Sequence, residues 1–224
     1  MSAPRPTPGA LFLAGPEGAS AGILVLHAWW GRTADPLAFA EDLARAGHAV
    51  AVPDLFAGRT AATVAEAEAL VESADPVAAE SAALAGADAL RARLAPGARI
   101  ATIGFSYGVP LAMAVAQERP EVAATVLYYG TGDPAGAERS SAPVLLHLAA
   151  DDPFEDPGWV ATYLAALRAA GRSVTEIVWP GTGHWFAEPS RSAWDPAAAG
   201  AAFQRTLAFL AEHLPSPGSH GGPG

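Results

Sequence analysis

The sequence predicts an α/β fold, a mostly parallel central sheet with helices on both faces. Three features predict it. Continuous apolar runs such as Gly22-Ile23-Leu24-Val25-Leu26 have the character of strands buried on both faces, where neither side alternates with polar residues. Ala-rich stretches with helical start and stop signals separate those runs, and strands alternating with helices pair in parallel through crossovers. At 224 residues and 51% hydrophobic content, the chain suits one large domain better than two small ones, and that domain is expected to span residues 10–214.

The elements follow in order. Residues 1–9 are Pro-rich, hold Arg5 and lead into no uninterrupted apolar core, so a mobile arm is expected and not a signal peptide. Residues 10–14 form a short edge strand before the turn-like Gly15-Pro16-Glu17-Gly18. Residues 22–28 are the first buried strand, broken by Trp29-Trp30-Gly31-Arg32. A helix is expected from Asp35-Pro36, with Asp as N-cap and Pro at the first helical position, to Arg45, and it stops at Gly47. Residues 48–53 are the next strand. Helices follow over 63–73 and from Asp75-Pro76 to Leu94, ended by Pro96-Gly97. The short segment between Phe56 and Asp75 is a candidate cover for a site. An apolar strand from Ile100 and an Ala-rich helix to Glu118 come next, then strands over 122–129 and 143–149. A helix over 157–170 ends at Gly171, a last strand covers 174–179, and a helix over 196–214 closes the domain. Residues 215–224 are rich in Pro, Gly and Ser and are expected to be a disordered tail. No internal repeat is visible.

Charge and composition exclude several chemistries. The formal net charge is −10 and all 13 basic residues are Arg, so Lys-based Schiff-base chemistry is absent. An acidic surface repels nucleic acid and anionic membranes at long range, so no nucleic-acid or membrane partner is expected. With no Cys there is no disulfide framework, thiolate nucleophile or Cys-based metal site. No apolar run approaches bilayer length, and together these features favour the cytoplasm. No two His or acidic residues fall at ligand spacing on one element, and no Gly-x-Gly-x-x-Gly or Lys-bearing phosphate loop is present, so neither metal nor cofactor is expected.

The chemistry-bearing stretch is Gly104-Phe105-Ser106-Tyr107-Gly108, a Gly-x-Ser-x-Gly pentapeptide between an apolar strand and a helix. That context is a nucleophile elbow: a sharp turn holds the serine hydroxyl above the end of the sheet. A serine hydroxyl is a poor nucleophile unless a base takes its proton, and the base in turn needs an acid to fix its tautomer. His184 and Asp152 each lie in a loop directly after a predicted strand, and the order Ser106, Asp152, His184 is that of α/β-hydrolases. Asp151 is adjacent, and Asp152 is the preferred acid. The backbone N–H groups of Tyr107 and Trp29 are the candidate oxyanion donors. Trp30, Phe154, Trp185 and Phe186 flank the same loops and are candidates for an apolar substrate pocket. His27 and His147 lie inside apolar strands and are expected as core residues, whereas His48, His213 and His220 look peripheral.

Leu24-Val25-Leu26-His27-Ala28-Trp29-Trp30-Gly31, Val52-Pro53-Asp54-Leu55-Phe56, the pentapeptide at Ser106, the stretch from His147 to Asp152 and Gly183-His184-Trp185-Phe186-Ala187 together resemble the dienelactone hydrolase (carboxymethylenebutenolidase) family. The resemblance runs from about Gly22 to Leu214. It implies a single-domain α/β-hydrolase that acts on lactones or esters without a cofactor, with nucleophile, acid and base at Ser106, Asp152 and His184. Three positions depart from the family pattern. Ser106 stands where well-studied members have Cys. Ala28 stands where they carry a Glu that interacts with the resting thiol, a partner a hydroxyl does not need. Glu188 stands where an Arg grips the dienelactone carboxylate, and a carboxylate there repels an acidic substrate. The expected function is therefore serine-dependent hydrolysis of a small ester or lactone. The alternatives are dienelactone hydrolysis with Ser in place of Cys, and a non-catalytic binding protein on the same scaffold.

Overall fold

A computed structural model describes residues 9–216, so most of the predicted arm and tail lie outside the described residues. Seven strands form one sheet in the order β1-β3-β2-β4-β5-β6-β7. β1 (Phe12–Ala14) runs antiparallel to β3 (Ala49–Val52). The others, β2 (Ala21–Leu26), β4 (Arg99–Phe105), β5 (Val122–Tyr128), β6 (Val144–Asp151) and β7 (Val174–Gly183), pair in parallel. Six helices connect them: α1 (Ala34–Arg45), α2 (Val64–Glu72), α3 (Pro76–Arg93), α4 (Gly108–Glu118), α5 (Pro157–Ala169) and α6 (Pro196–His213).

The strands alternate their side chains between two core layers. Ile23 and Val25 pack with Leu43 of α1, Leu70 of α2 and Leu210 of α6, while Leu24 and Leu26 pack with Leu90 of α3, Val109 of α4 and Leu167 of α5. Helix starts follow local chemistry. The Asp75, Asp156 and Asp195 side chains accept from backbone N–H groups of the first turn, each with Pro at the first helical position. Thr63 and Glu66 form a reciprocal capping box on α2.

Some predicted boundaries move, and one short element is added. The N-cap of α1 is Thr33, not Asp35, whose carboxylate instead accepts from the Ser190 N–H and hydroxyl. β7 continues through Pro180, Gly181 and Gly183, residues that punctuate a strand when read alone. A 3₁₀ turn at Pro134–Arg139, capped by Asp133, lies between β5 and β6. The strand C-termini align: Leu26 pairs with Gly104, Phe105 with Tyr128, Tyr128 with His147 and Asp151 with Gly183. Residues directly after these rungs therefore emerge at one edge of the sheet, where parallel α/β folds place ligands.

Candidate active site

The turn at Ser106 is sterically enforced. A Cβ at Gly104 would lie 2.7 Å from the Gly108 carbonyl oxygen, and one at Gly108 would lie 2.3 Å from that of Leu26. Strand and helix are thus closer than any side chain allows, and Ser106 is left with φ of 46°. The Ser106 N–H donates to the Tyr128 carbonyl and its own carbonyl accepts from Val109 N–H, fixing the turn from both sides. Tyr129 (φ 36°) and Trp185 (φ 67°) are also left-handed, so three of the four non-glycine residues with positive φ, among those described, border one spot.

The three residues expected to act together meet there. His184 Nε2 lies 2.8 Å from Ser106 Oγ, and His184 Nδ1 lies 2.8 and 2.7 Å from the two Asp152 carboxylate oxygens. Asp152 is acceptor-only when ionised, which assigns the Nδ1–H to Asp152 and leaves Nε2 to accept from the serine hydroxyl. The acid and base owe their proximity to the sheet: Asp151 pairs with Gly183 across a register shift, and Asp152 and His184 are the next residues out. Asp152 also accepts from the Phe154 N–H at 2.9 Å, which shapes the loop behind it.

An open cleft runs over the serine. It is lined by Trp29, Val71, Ser106, Tyr107, Pro110, Thr131, Phe154, Glu155, His184 and Trp185. Trp29 stacks on Trp185 at 5.5 Å between ring centroids, and Phe154 packs against both and against His184. Val71 brings α2, from the segment expected as a cover, into the wall. Of the four residues expected in the pocket, Phe154 and Trp185 line the cleft, beside Trp29 and Tyr107. Trp30 and Phe186 do not line the cleft. Trp30 is buried between Trp185, 4.8 Å away, and the Arg191 guanidinium, 4.2 Å over its ring, and Phe186 packs inside against Tyr129 and Trp179. Trp30 thus backs the cleft wall, touching Trp29 and Trp185 from inside.

Two carboxylates change the electrostatics expected from the sequence. Glu155 was not singled out there. One of its oxygens accepts from the Thr131 hydroxyl at 2.8 Å. Partial burial raises its carboxyl above the usual range, while Thr131 and the nearby His184 pull it back and Asp152 adds to the rise. Glu188, expected to confront an acidic substrate, is buried beneath the site and faces away from the cleft. Its oxygen accepts from the Tyr129 hydroxyl at 2.9 Å. Burial pushes its carboxyl up to about 8, with Asp35 adding to the rise and Tyr129 and Arg191 opposing it. A carboxyl held there is largely protonated at pH 7 and repels nothing. Glu188, Asp35 and Ala28 share a small cavity with Phe39 and Phe105.

The buried histidines are structural. His27 Nδ1–H donates to the Ala28 carbonyl at 2.8 Å, and Nε2 accepts from Leu55 N–H at 3.1 Å. His147 Nδ1 accepts from the Trp179 indole at 3.2 Å, and Nε2 meets Thr206 Oγ1 at 3.1 Å. Burial pushes His27 down to about 4 and His147 down to about 3. His48, expected at the periphery, is buried as well, since the Gly15 turn packs onto its backbone. Among the described residues, no group of three or more His, Asp or Glu is placed to hold a metal ion, and no helix is long and apolar enough to cross a membrane.

Comparison with known proteins identifies the family and the fold. Residues 10–214 match the family model described as the dienelactone hydrolase family. A relative named carboxymethylenebutenolidase from Azospirillum brasilense is 35% identical over 127 residues, 55% of this chain and 53% of its own, so the chain spans about half the length of that relative. Protein usf of Aquifex pyrophilus is 27% identical over 91% of this chain and 93% of its own. Among solved structures, a dienelactone hydrolase from Anabaena variabilis superposes with a TM-score of 0.68 at 24% identity over 92% of both chains. A dienelactone hydrolase-like promiscuous phosphotriesterase from metagenomic libraries superposes with a TM-score of 0.78 at 21% identity, covering 90% of this chain and 89% of that one. These two structures share the α/β-hydrolase fold.

Proposed function

The chain belongs to the dienelactone hydrolase family, and on that premise we propose that it is a serine hydrolase cleaving a small ester or lactone through an acyl-enzyme on Ser106. As the Ser106 hydroxyl attacks the carbonyl carbon, His184 Nε2 takes its proton. Asp152 holds the imidazole in the tautomer that can accept it. The Tyr107 and Trp29 backbone N–H groups receive the oxyanion that forms. Collapse breaks the bond to the alkoxy oxygen, which takes the proton from His184 and leaves as the alcohol, or stays tethered when the substrate is a lactone. Water then gives a proton to His184 and attacks the acyl carbon, and the carboxylic acid departs as Ser106 regains its proton. The aromatic walls exclude water from the oxyanion.

The observation that carries this reading is the hydrogen-bonded series from Ser106 Oγ through His184 to Asp152, with both separations under 3 Å. A fluorophosphonate should label Ser106, and p-nitrophenyl acetate should turn over. Ser106→Ala should lose the label and slow turnover by about 10³-fold or more. Retention of either by the variant overturns the assignment.

A second reading keeps dienelactone itself as substrate. The burial of Glu188 takes that carboxyl out of the cleft and so removes one objection to it, while Glu155 in the cleft wall still stands against it. Measuring dienelactone beside a neutral ester of similar size separates the two readings.

A further inference from the structure

We propose that Glu155 is a charge selector in this cleft, favouring esters that carry a cationic group and disfavouring those that carry a carboxylate. The inference rests on the reading of the cleft as the ester site. Glu155 is the one carboxyl group among the described residues lining the cleft, and no arginine lines it. The Thr131 hydroxyl, itself in the wall, holds one oxygen at 2.8 Å and keeps the carboxylate from swinging out to solvent. The remaining walls are the faces and edges of Trp29, Trp185 and Phe154. A carboxylate among aromatic rings is the chemistry that recognises an ammonium group, through charge attraction and through the negative ring faces. The same groups offer a substrate carboxylate no cation and one like charge.

The overall charge of −10 also pulls cations inward, but that field is screened over about 8 Å at physiological salt. A local substitution therefore isolates the contribution of Glu155. Two ester series test it, since the charge can sit on either side of the scissile bond. One is p-nitrophenyl esters of equal chain length ending in trimethylammonium, tert-butyl or carboxylate. The other is acetates of choline, of 3,3-dimethylbutanol and of 3-hydroxypropanoate. Wild type, Glu155→Gln and Glu155→Lys are assayed at pH 8 in 0.15 M salt. Gln keeps an acceptor for Thr131, and circular dichroism with phosphonate labelling of Ser106 checks that each variant is folded.

In at least one series the cation-to-anion ratio of kcat/KM should fall about tenfold from wild type to Glu155→Gln, and further in Glu155→Lys. Equal ratios in wild type and both variants, across both series, overturn the proposal while leaving the hydrolase reading intact. Absence of hydrolysis and of Ser106 labelling in the wild-type protein sinks the hydrolase reading, and this inference with it.

Discussion

Two polar layers meet at His184, and they bury the same functional group to different depths. Above the imidazole lies the open cleft, where Glu155 is half-buried and held by a hydroxyl. Below it lies a closed layer in which Tyr129, packed against the His184 ring at 5.1 Å, donates to Glu188. Glu188 loses its charge because desolvation outweighs the single hydroxyl donor. Glu155 keeps solvent on one side and stands beside an imidazole. A carboxylate near an active site is therefore not by itself an electrostatic statement. Its burial decides whether a substrate sees a charge or a hydrogen-bonding acid.

The sharpest way to break this contrast is Asp152→Asn. The layer below stays intact, but the amide can donate to Nδ1 and favour the wrong tautomer. We expect kcat for a neutral ester to fall about 10³- to 10⁴-fold, the scale known for this change in serine proteases. Activity within tenfold of wild type would mean that the closed layer, through Tyr129, holds His184 without the acid.

Urea denaturation across pH comes next in size. Glu188 takes up a proton on folding wherever the unfolded carboxyl, near 4.5, is ionised and the folded one, near 8, is not. Its favourable contribution is fully present below 4.5 and is lost as pH rises through 8. Relative to Glu188→Gln, the wild type should lose about 3 kcal/mol between pH 5 and pH 8. Glu155→Gln should show a much smaller difference. At lower pH the sign reverses. His27 and His147 stay neutral in the fold down to about 4 and about 3, while the unfolded rings charge below 6.5. The histidines' contribution is full above 6.5 and falls with acid below it in every variant. Parallel curves for wild type and Glu188→Gln would show that the lower carboxylate is ionised after all.

The smallest effect is expected from Tyr129→Phe. It removes the donor from Glu188 without touching the cleft walls, and should cost about 1–2 kcal/mol of stability. Turnover should change less than with Asp152→Asn. A larger loss of activity than of stability would make the closed layer part of the catalytic apparatus.

The elements were legible where local chemistry decides them. The Asp75-Pro76 pair announced α3, and unbroken apolar runs announced β2, β5 and β6. Asp35-Pro36 misled because Asp35 is claimed from a distance by Ser190, which no local pattern reveals. The end of β7 was hidden because Pro180 and two glycines are ordinary loop residues until β6 pairs with them. Ser106, His184 and Asp152 stood out because each follows a strand. Glu155 did not, since it sits among Asp151, Asp152 and Asp156, and composition cannot tell which acid turns inward. Glu188 and Trp30 were visible as residues near the site, but their depth is a property of tertiary packing.

The rung joining Asp151 to Gly183 has a consequence for anyone reshaping this site. Acid and base hang from one shared crossbar, so neither loop can be lengthened or transplanted independently at its root. A single-residue deletion in β6 or β7 near that crossbar would slide one partner by about 3.3 Å, more than the whole span of the bond between them. Diversity introduced for new substrates belongs further out, beyond Phe154 on one loop and Trp185 on the other, where the crossbar no longer dictates position.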